Sequence, residues 1–244
     1  MTARKTTIAV LFALLVSLDL VAEEHKPYTD EQIRMMIEHD LSRKHIDGVS
    51  VTVSDGIVDL QGSAASYWAR EEANEVARSV HDVKDVRSEV VIAPAAGGDE
   101  ELATRIRAKV LRSVYYTIFD QIGLSVKNGE VTLFGKVTTP YKAQNIVELA
   151  SKQEGVQKID NKVEVLPVSP EDERLRNQLA TEIYQEFPDY ASLSSPPIHI
   201  IVENARVTLF GIVRNEVERH QILNIARSAF GVMDVEDKLA VGAS

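Results

Sequence analysis

The chain of 244 residues is 44% apolar and 26% charged, with 27 basic against 37 acidic residues and a formal net charge of −10. That balance excludes a disordered polyelectrolyte and argues against a nucleic-acid partner, because phosphate backbones are held by basic surfaces. With no cysteine, a disulfide framework, a thiol nucleophile and a cysteine-ligated metal are excluded, and no residue is available for a lipoprotein-type anchor.

Residues 1–22, MTARKTTIAVLFALLVSLDLVA, open with Arg4 and Lys5, run apolar from Ile8 to Val16 and end on small Ala22. This is the layout of a secretory signal peptide. The apolar run is shorter than the roughly 20 residues of a membrane span, and Asp19 interrupts it. Export is therefore expected, with the mature chain free in the periplasm.

From residue 28 onward one order of elements is written three times. In the first unit, 28–93, Ile33, Ile37 and Leu41 recur at helical spacing, and Val49, Val51 and Val53 then alternate as in a half-buried strand. Asp55-Gly56 marks a hairpin turn into a second strand carrying Val58, Leu60 and Gly62. A helix follows on Ala69, Ala73, Val76, Ala77 and Val80, and a last strand on Val83, Val86 and Val90. Trp68 is expected to pack at the start of that helix.

The stretch APAAGGD, 93–99, reads as a linker into the second unit, 99–166. There the opening helix carries Leu102, Ile106, Val110 and Val114 towards the core, and the strands carry Ile122/Leu124/Val126 and Val131/Leu133 around Asn128-Gly129. Tyr141 falls where unit one has Trp68. Ile146, Leu149 and Ala150 give the second helix, and Val156, Ile159 and Val163 the last strand.

A second linker, LPVSP at 166–170, leads to the third unit, 171–242. Its opening helix has Leu175, Leu179 and Ile183; an insertion expected to be irregular, FPDYASLSSPP at 187–197, precedes the strand Ile198/Ile200/Val202. The turn is Asn204-Ala205, where the missing glycine predicts a looser geometry. Val207, Leu209, Ile222, Ile225, Ala226, Ala229, Val232, Val235 and Leu239 complete the pattern, with Val217 at the position of Trp68.

Gly62, Gly135 and Gly211 align the copies at offsets of 73 and 76 residues, the size of a small domain. The fold class is therefore α+β: three tandem α-β-β-α-β domains, each a small mixed three-stranded sheet covered by two helices. The glycines are expected to end the second strand and let the chain turn into the second helix.

The order V.L.G.V, amphipathic helix, then GV..V.N.V.V is clearest in VTLFGKVTTPYKAQNIVELASKQEGVQKIDNKVEVL at 131–166. It resembles the BON domain, named for bacterial osmotically inducible and nodulation proteins. Unit one departs from that pattern where His81-Asp82 replaces Glu154-Gly155. The resemblance implies a periplasmic, non-enzymatic module, similar to proteins that bind phospholipid surfaces and support envelope integrity under osmotic stress.

Motifs of catalysis are missing from the sequence. No H-E-x-x-H places two of the six histidines for a metal, and no G-x-S-x-G, P-loop or G-x-G-x-x-G occurs. Neither catalytic residues, cofactor, metal nor small-molecule substrate is expected, and the histidines, His199 among them, read as surface residues. Glu71-Glu72, Glu100-Glu101 and Glu171-Asp172-Glu173 are expected at helix N-termini, opposing the helix dipole.

Charge is unevenly divided. Unit one holds 7 basic and 13 acidic residues, unit three 7 and 12, and unit two 10 and 9. In unit two, Arg105, Lys109, Arg112 and Tyr116 are spaced to share one stripe of the opening helix. Cations ending in a tyrosine suit an anionic phospholipid surface. A transient peripheral contact through these four residues is the leading expectation; a scaffold recruiting another envelope protein through sheet edges or the 187–197 loop is the alternative.

Overall fold

The computed structural model describes residues 26–193 and 196–242; the expected signal peptide, 1–22, lies outside the described residues. Unit one runs α1 (Asp30–Arg43), β1 (Val49–Ser54), β2 (Ile57–Ala64), α2 (Tyr67–Ser79) and β3 (Asp85–Ile92). Unit two runs α3 (Gly98–Leu111), β4 (Gln121–Lys127), β5 (Glu130–Val137), α4 (Pro140–Ser151) and β6 (Lys158–Val165). Unit three runs α5 (Pro170–Glu186), α6 (Pro188–Ala191), β7 (Ile198–Glu203), β8 (Arg206–Val213), α7 (Glu216–Ser228) and β9 (Asp234–Val241).

The three sheets share one topology, with the second strand of each unit in the centre. The hairpin partner is antiparallel and the last strand parallel, because a helix supplies the crossover that a parallel pair needs. Each unit buries its own core, built from Ile33, Ile37 and Leu60, from Leu102, Ile106 and Leu133, and from Leu175, Leu179 and Leu209 with their neighbours. The second helices start alike: Ser66, Thr139 and Asn215 are N-caps whose side chains accept from the backbone N–H three residues on.

A further threefold feature ties helix to hairpin. A carboxylate in the first turn of each opening helix accepts both N–H groups at the tip of the turn. Asp30 takes those of Asp55 (2.8 Å) and Gly56 (2.9 Å), Asp99 those of Asn128 (2.7 Å) and Gly129 (2.9 Å), and Asp172 those of Asn204 (2.9 Å) and Ala205 (2.8 Å).

Several local expectations are corrected. The Asn204-Ala205 turn is not looser: both residues are left-handed (φ 52° and 60°), like Asn128-Gly129 (52° and 76°). Gly62, Gly135 and Gly211 do not end their strands, which run two residues further. Their positive φ and close approach to the preceding strand require glycine, since a Cβ would collide with the carbonyl oxygen of Gly48, Gln121 or Pro197. α3 stops at Leu111, so Val114 no longer follows the helical period and is 85% exposed. Glu71 and Glu72 lie beyond the first turn of α2, and Glu72 instead pairs with Lys44 at 2.6 Å. Trp68 packs against the unit-one core, but Tyr141 and Val217 are exposed. The third-unit insertion is partly ordered by α6, whose buried Tyr190 donates its hydroxyl to Glu218 at 2.6 Å.

Candidate functional site

The four residues of the basic stripe divide between two environments. Lys109 in α3 and Arg112, its C-cap, are exposed. Arg105 is turned to structural use: its guanidinium donates to the carbonyls of Glu154 (3.0 Å) and Ala96 (3.3 Å) and pairs with Glu101 (3.4 Å). It thereby fastens the linker between units one and two against the α4–β6 loop. Tyr116 lies past the helix end and packs on the unit-two core and on the His199 ring, 5.3 Å between centroids. Burial pushes its phenol up to about 12. The stripe is thus two open cations, with its other two members engaged elsewhere.

Beside Lys109 and Arg112 the end of α3 exposes Leu111, Val114 and Tyr115, the last packed edge-on to Tyr141 at 4.8 Å between ring centroids. A recess of about 850 Å³ opens here, lined by Leu111, Arg112, Val114, Ile118, Pro196 and His199. Apolar side chains next to cations at a chain reversal form an amphipathic tip.

The tip is held by Asp120, which is fully buried. Its carboxylate accepts from Lys142 Nζ (2.7 Å), from Thr117 N and Oγ1 (2.8 and 2.7 Å), and from Thr138 N and Oγ1 (3.0 and 3.2 Å). Five donors satisfy a charge that would otherwise be costly to bury. They also fix residues 117–120 as a platform for unit three. Ile118 O accepts from Ile200 N at 2.7 Å, Asp120 O accepts from His199 Nδ1 at 2.7 Å, and Phe119 packs against the unit-three core. Lys136 and Glu203 complete the junction as an ion pair. His199 is therefore a junction residue, not a surface one, and burial lowers its pKa.

The junction between units one and two is built differently. Gly155 N donates to Ala65 O (2.9 Å), Gln157 Nε2 donates to Ile92 O (3.0 Å), and Lys152 Nζ sits 4.9 Å from the Trp68 ring centroid. Tyr67 and Ala95 pack against the unit-two core. Among the described residues there is no group of three or more His, Asp or Glu able to hold a metal, and no helix is long and apolar enough to cross a membrane.

The threefold repeat has a counterpart in sequence comparison: the model of the BON domain family matches residues 29–94, 98–167 and 176–243. The chain belongs to the BON family. No curated protein matches this BON protein. Among solved structures it is similar to the C-terminal domain of CdsD, the structural protein of the type III secretion system of Chlamydia trachomatis. Identity there is 16%, covering 89% of this chain and 100% of that one, with a TM-score of 0.26. A second CdsD structure matches at 17% identity over 86% and 92%, TM-score 0.26, and the PrgH periplasmic domain at 13% over 84% and 100%, TM-score 0.22. BON membership is consistent with a non-enzymatic protein of the cell envelope.

The residues that organise the BON units around this tip, Asp120, Lys142 and His199, went unread in the sequence. Asp120 and Lys142 are 22 positions apart, and His199 lies in another unit. The one available signal was local: Thr117 and Asp120 have the spacing of a side-chain turn at a strand entry.

Proposed function

We propose that this BON protein associates transiently with anionic phospholipid surfaces through unit two and so supports envelope integrity under stress. The observation that carries the reading is the amphipathic tip, where exposed Lys109 and Arg112 flank exposed Val114 and Leu111. Each cation near an anionic leaflet contributes roughly 1 kcal/mol, and the apolar side chains add interfacial burial. Two cations give an attachment that forms and releases readily. The acidic outer units are repelled from the same surface, which leaves the tip of unit two as the approach.

Co-sedimentation of residues 23–244 with phosphatidylglycerol-containing and neutral vesicles, at low and high salt, tests this. The expected result is anion-selective, salt-sensitive binding that is lost in Lys109→Glu/Arg112→Glu and weakened in Val114→Asp. Arg105→Ala is expected to keep vesicle binding while loosening the linker, because that guanidinium is already spent on Glu154 and Ala96. No binding to either vesicle, or binding indifferent to the double charge reversal, overturns the reading.

A further inference from the structure

We infer that the chain self-associates by reusing the unit one–unit two junction, with the α7–β9 loop of one copy docking on the open end of unit two in a second copy. The template is within the molecule. At the existing junction the α4–β6 loop seats against the end of the unit-one sheet through Gly155 on Ala65 and Gln157 on Ile92. The offset of 73 residues puts Thr138, Tyr141, Val165 and Val168 where unit one has Ala65, Trp68, Ile92 and Ala95. The offset of 76 puts Phe230, Gly231 and Met233 where unit two has Glu154, Gly155 and Gln157.

Both halves of this second junction are present in each chain, yet they do not meet within it. Unit three leans on unit two by the β7 edge, through His199 and Ile200, rather than by its α7–β9 loop. On one side Val168 is 100% exposed, with Tyr141 and Val165 also open; on the other Phe230 is 83% and Met233 78% exposed. The loop half is more apolar than its counterpart, with Phe230 for Glu154 and Met233 for Gln157, and on the unit-two half Val168 enlarges the apolar side chain where unit one has Ala95. Side chains of this size left open at matched positions indicate an interface.

The loop has the backbone of its unit-two counterpart, a geometry of the fold that unit one shares through Lys84 N on Gly56 O at 2.8 Å. Gly231 has φ +95° where Gly155 has +86°, and Met233 N donates to Ala205 O at 2.9 Å as Gln157 N does to Gly129 O at 2.9 Å. A Cβ on Gly155 would strike Ala95 of the docked linker, whereas at Gly231 it would meet only Arg174 and Leu175 of its own unit. The missing neighbour is the end of another unit. The contact is heterologous, so it either closes reciprocally between two copies or propagates.

The cysteine-free chain allows a direct test. Phe230→Cys and Val165→Cys proteins, each made separately, are mixed under mild oxidation and compared with each alone. The expected result is a disulfide-linked pair formed several-fold faster in the mixture than in either single variant. Analytical ultracentrifugation of the unmodified chain over a concentration series should show association, abolished in Phe230→Asp/Met233→Asp and retained in the control Val91→Asp. A chain that stays monomeric throughout, association unchanged by the double substitution, or cross-linking of Phe230→Cys with itself as fast as in the mixture would overturn the proposal.

Discussion

Asp172 holds Ala205 in a left-handed turn. Its Oδ1 accepts the Ala205 N–H at 2.8 Å while Oδ2 takes that of Asn204 at 2.9 Å, and the carboxyl group is buried beneath the hairpin. A residue in the first turn of α5 therefore sets the geometry of a turn more than thirty positions away. It lets alanine stand where the other two copies have glycine.

Replacing Asp172 with alanine leaves two backbone N–H groups at the tip without their acceptor and should cost about 2–3 kcal/mol. Asp30→Ala, at a half-buried clamp where water can substitute, should cost less. Urea unfolding of both variants measures the difference, and equal costs would assign the clamp no dependence on burial.

Ala205→Gly should stabilise unit three by about 1 kcal/mol, the cost of holding a non-glycine residue left-handed. The gain would appear as a higher denaturation midpoint. Destabilisation would show that the methyl group contributes more through its packing on the unit-three core than its conformation costs.

Asp120→Ala removes the acceptor shared by Lys142, Thr117 and Thr138 and should destabilise unit two by about 3 kcal/mol, because a half-buried ammonium loses its partner. Adding Lys142→Met to that change should recover part of the loss. Hydrogen exchange at 117–120 and at the amide of Ile200 should rise with it, since Ile118 presents the acceptor for that amide.

The junction between units two and three should weaken in acid. Burial holds His199 below its ordinary value of 6.5, so the unfolded chain takes up the proton first as pH falls. The contribution of neutral His199 is complete above 6.5 and is lost progressively below it. Melting temperatures measured from neutral pH to about pH 5 should fall more steeply for the unmodified chain than for His199→Asn. Parallel curves would assign the acid sensitivity to carboxylates alone.

The helices, strands and turns of this protein were legible in its sequence because their signals are local. Ile33, Ile37 and Leu41 announce a helix face, and Val131 and Leu133 a strand face, through backbone periodicities that hold wherever the segment folds. The threefold echo then supplied the topology. Locality also marks where the reading stopped. Val114 continued a helical period, but α3 ended at Leu111, and no periodicity reports where a buried Asp120 will gather its donors.

The sequence by itself determined three BON units and their boundaries of charge. Tertiary structure alone decided that Arg105 and Tyr116 belong to junctions, that Lys109 and Arg112 remain open beside apolar side chains, and that the two junctions differ. Those outcomes depend on which surfaces of separate units meet. Contacts between residues far apart in the chain are selected by shape and desolvation after the units have folded, and no spacing within one segment records them.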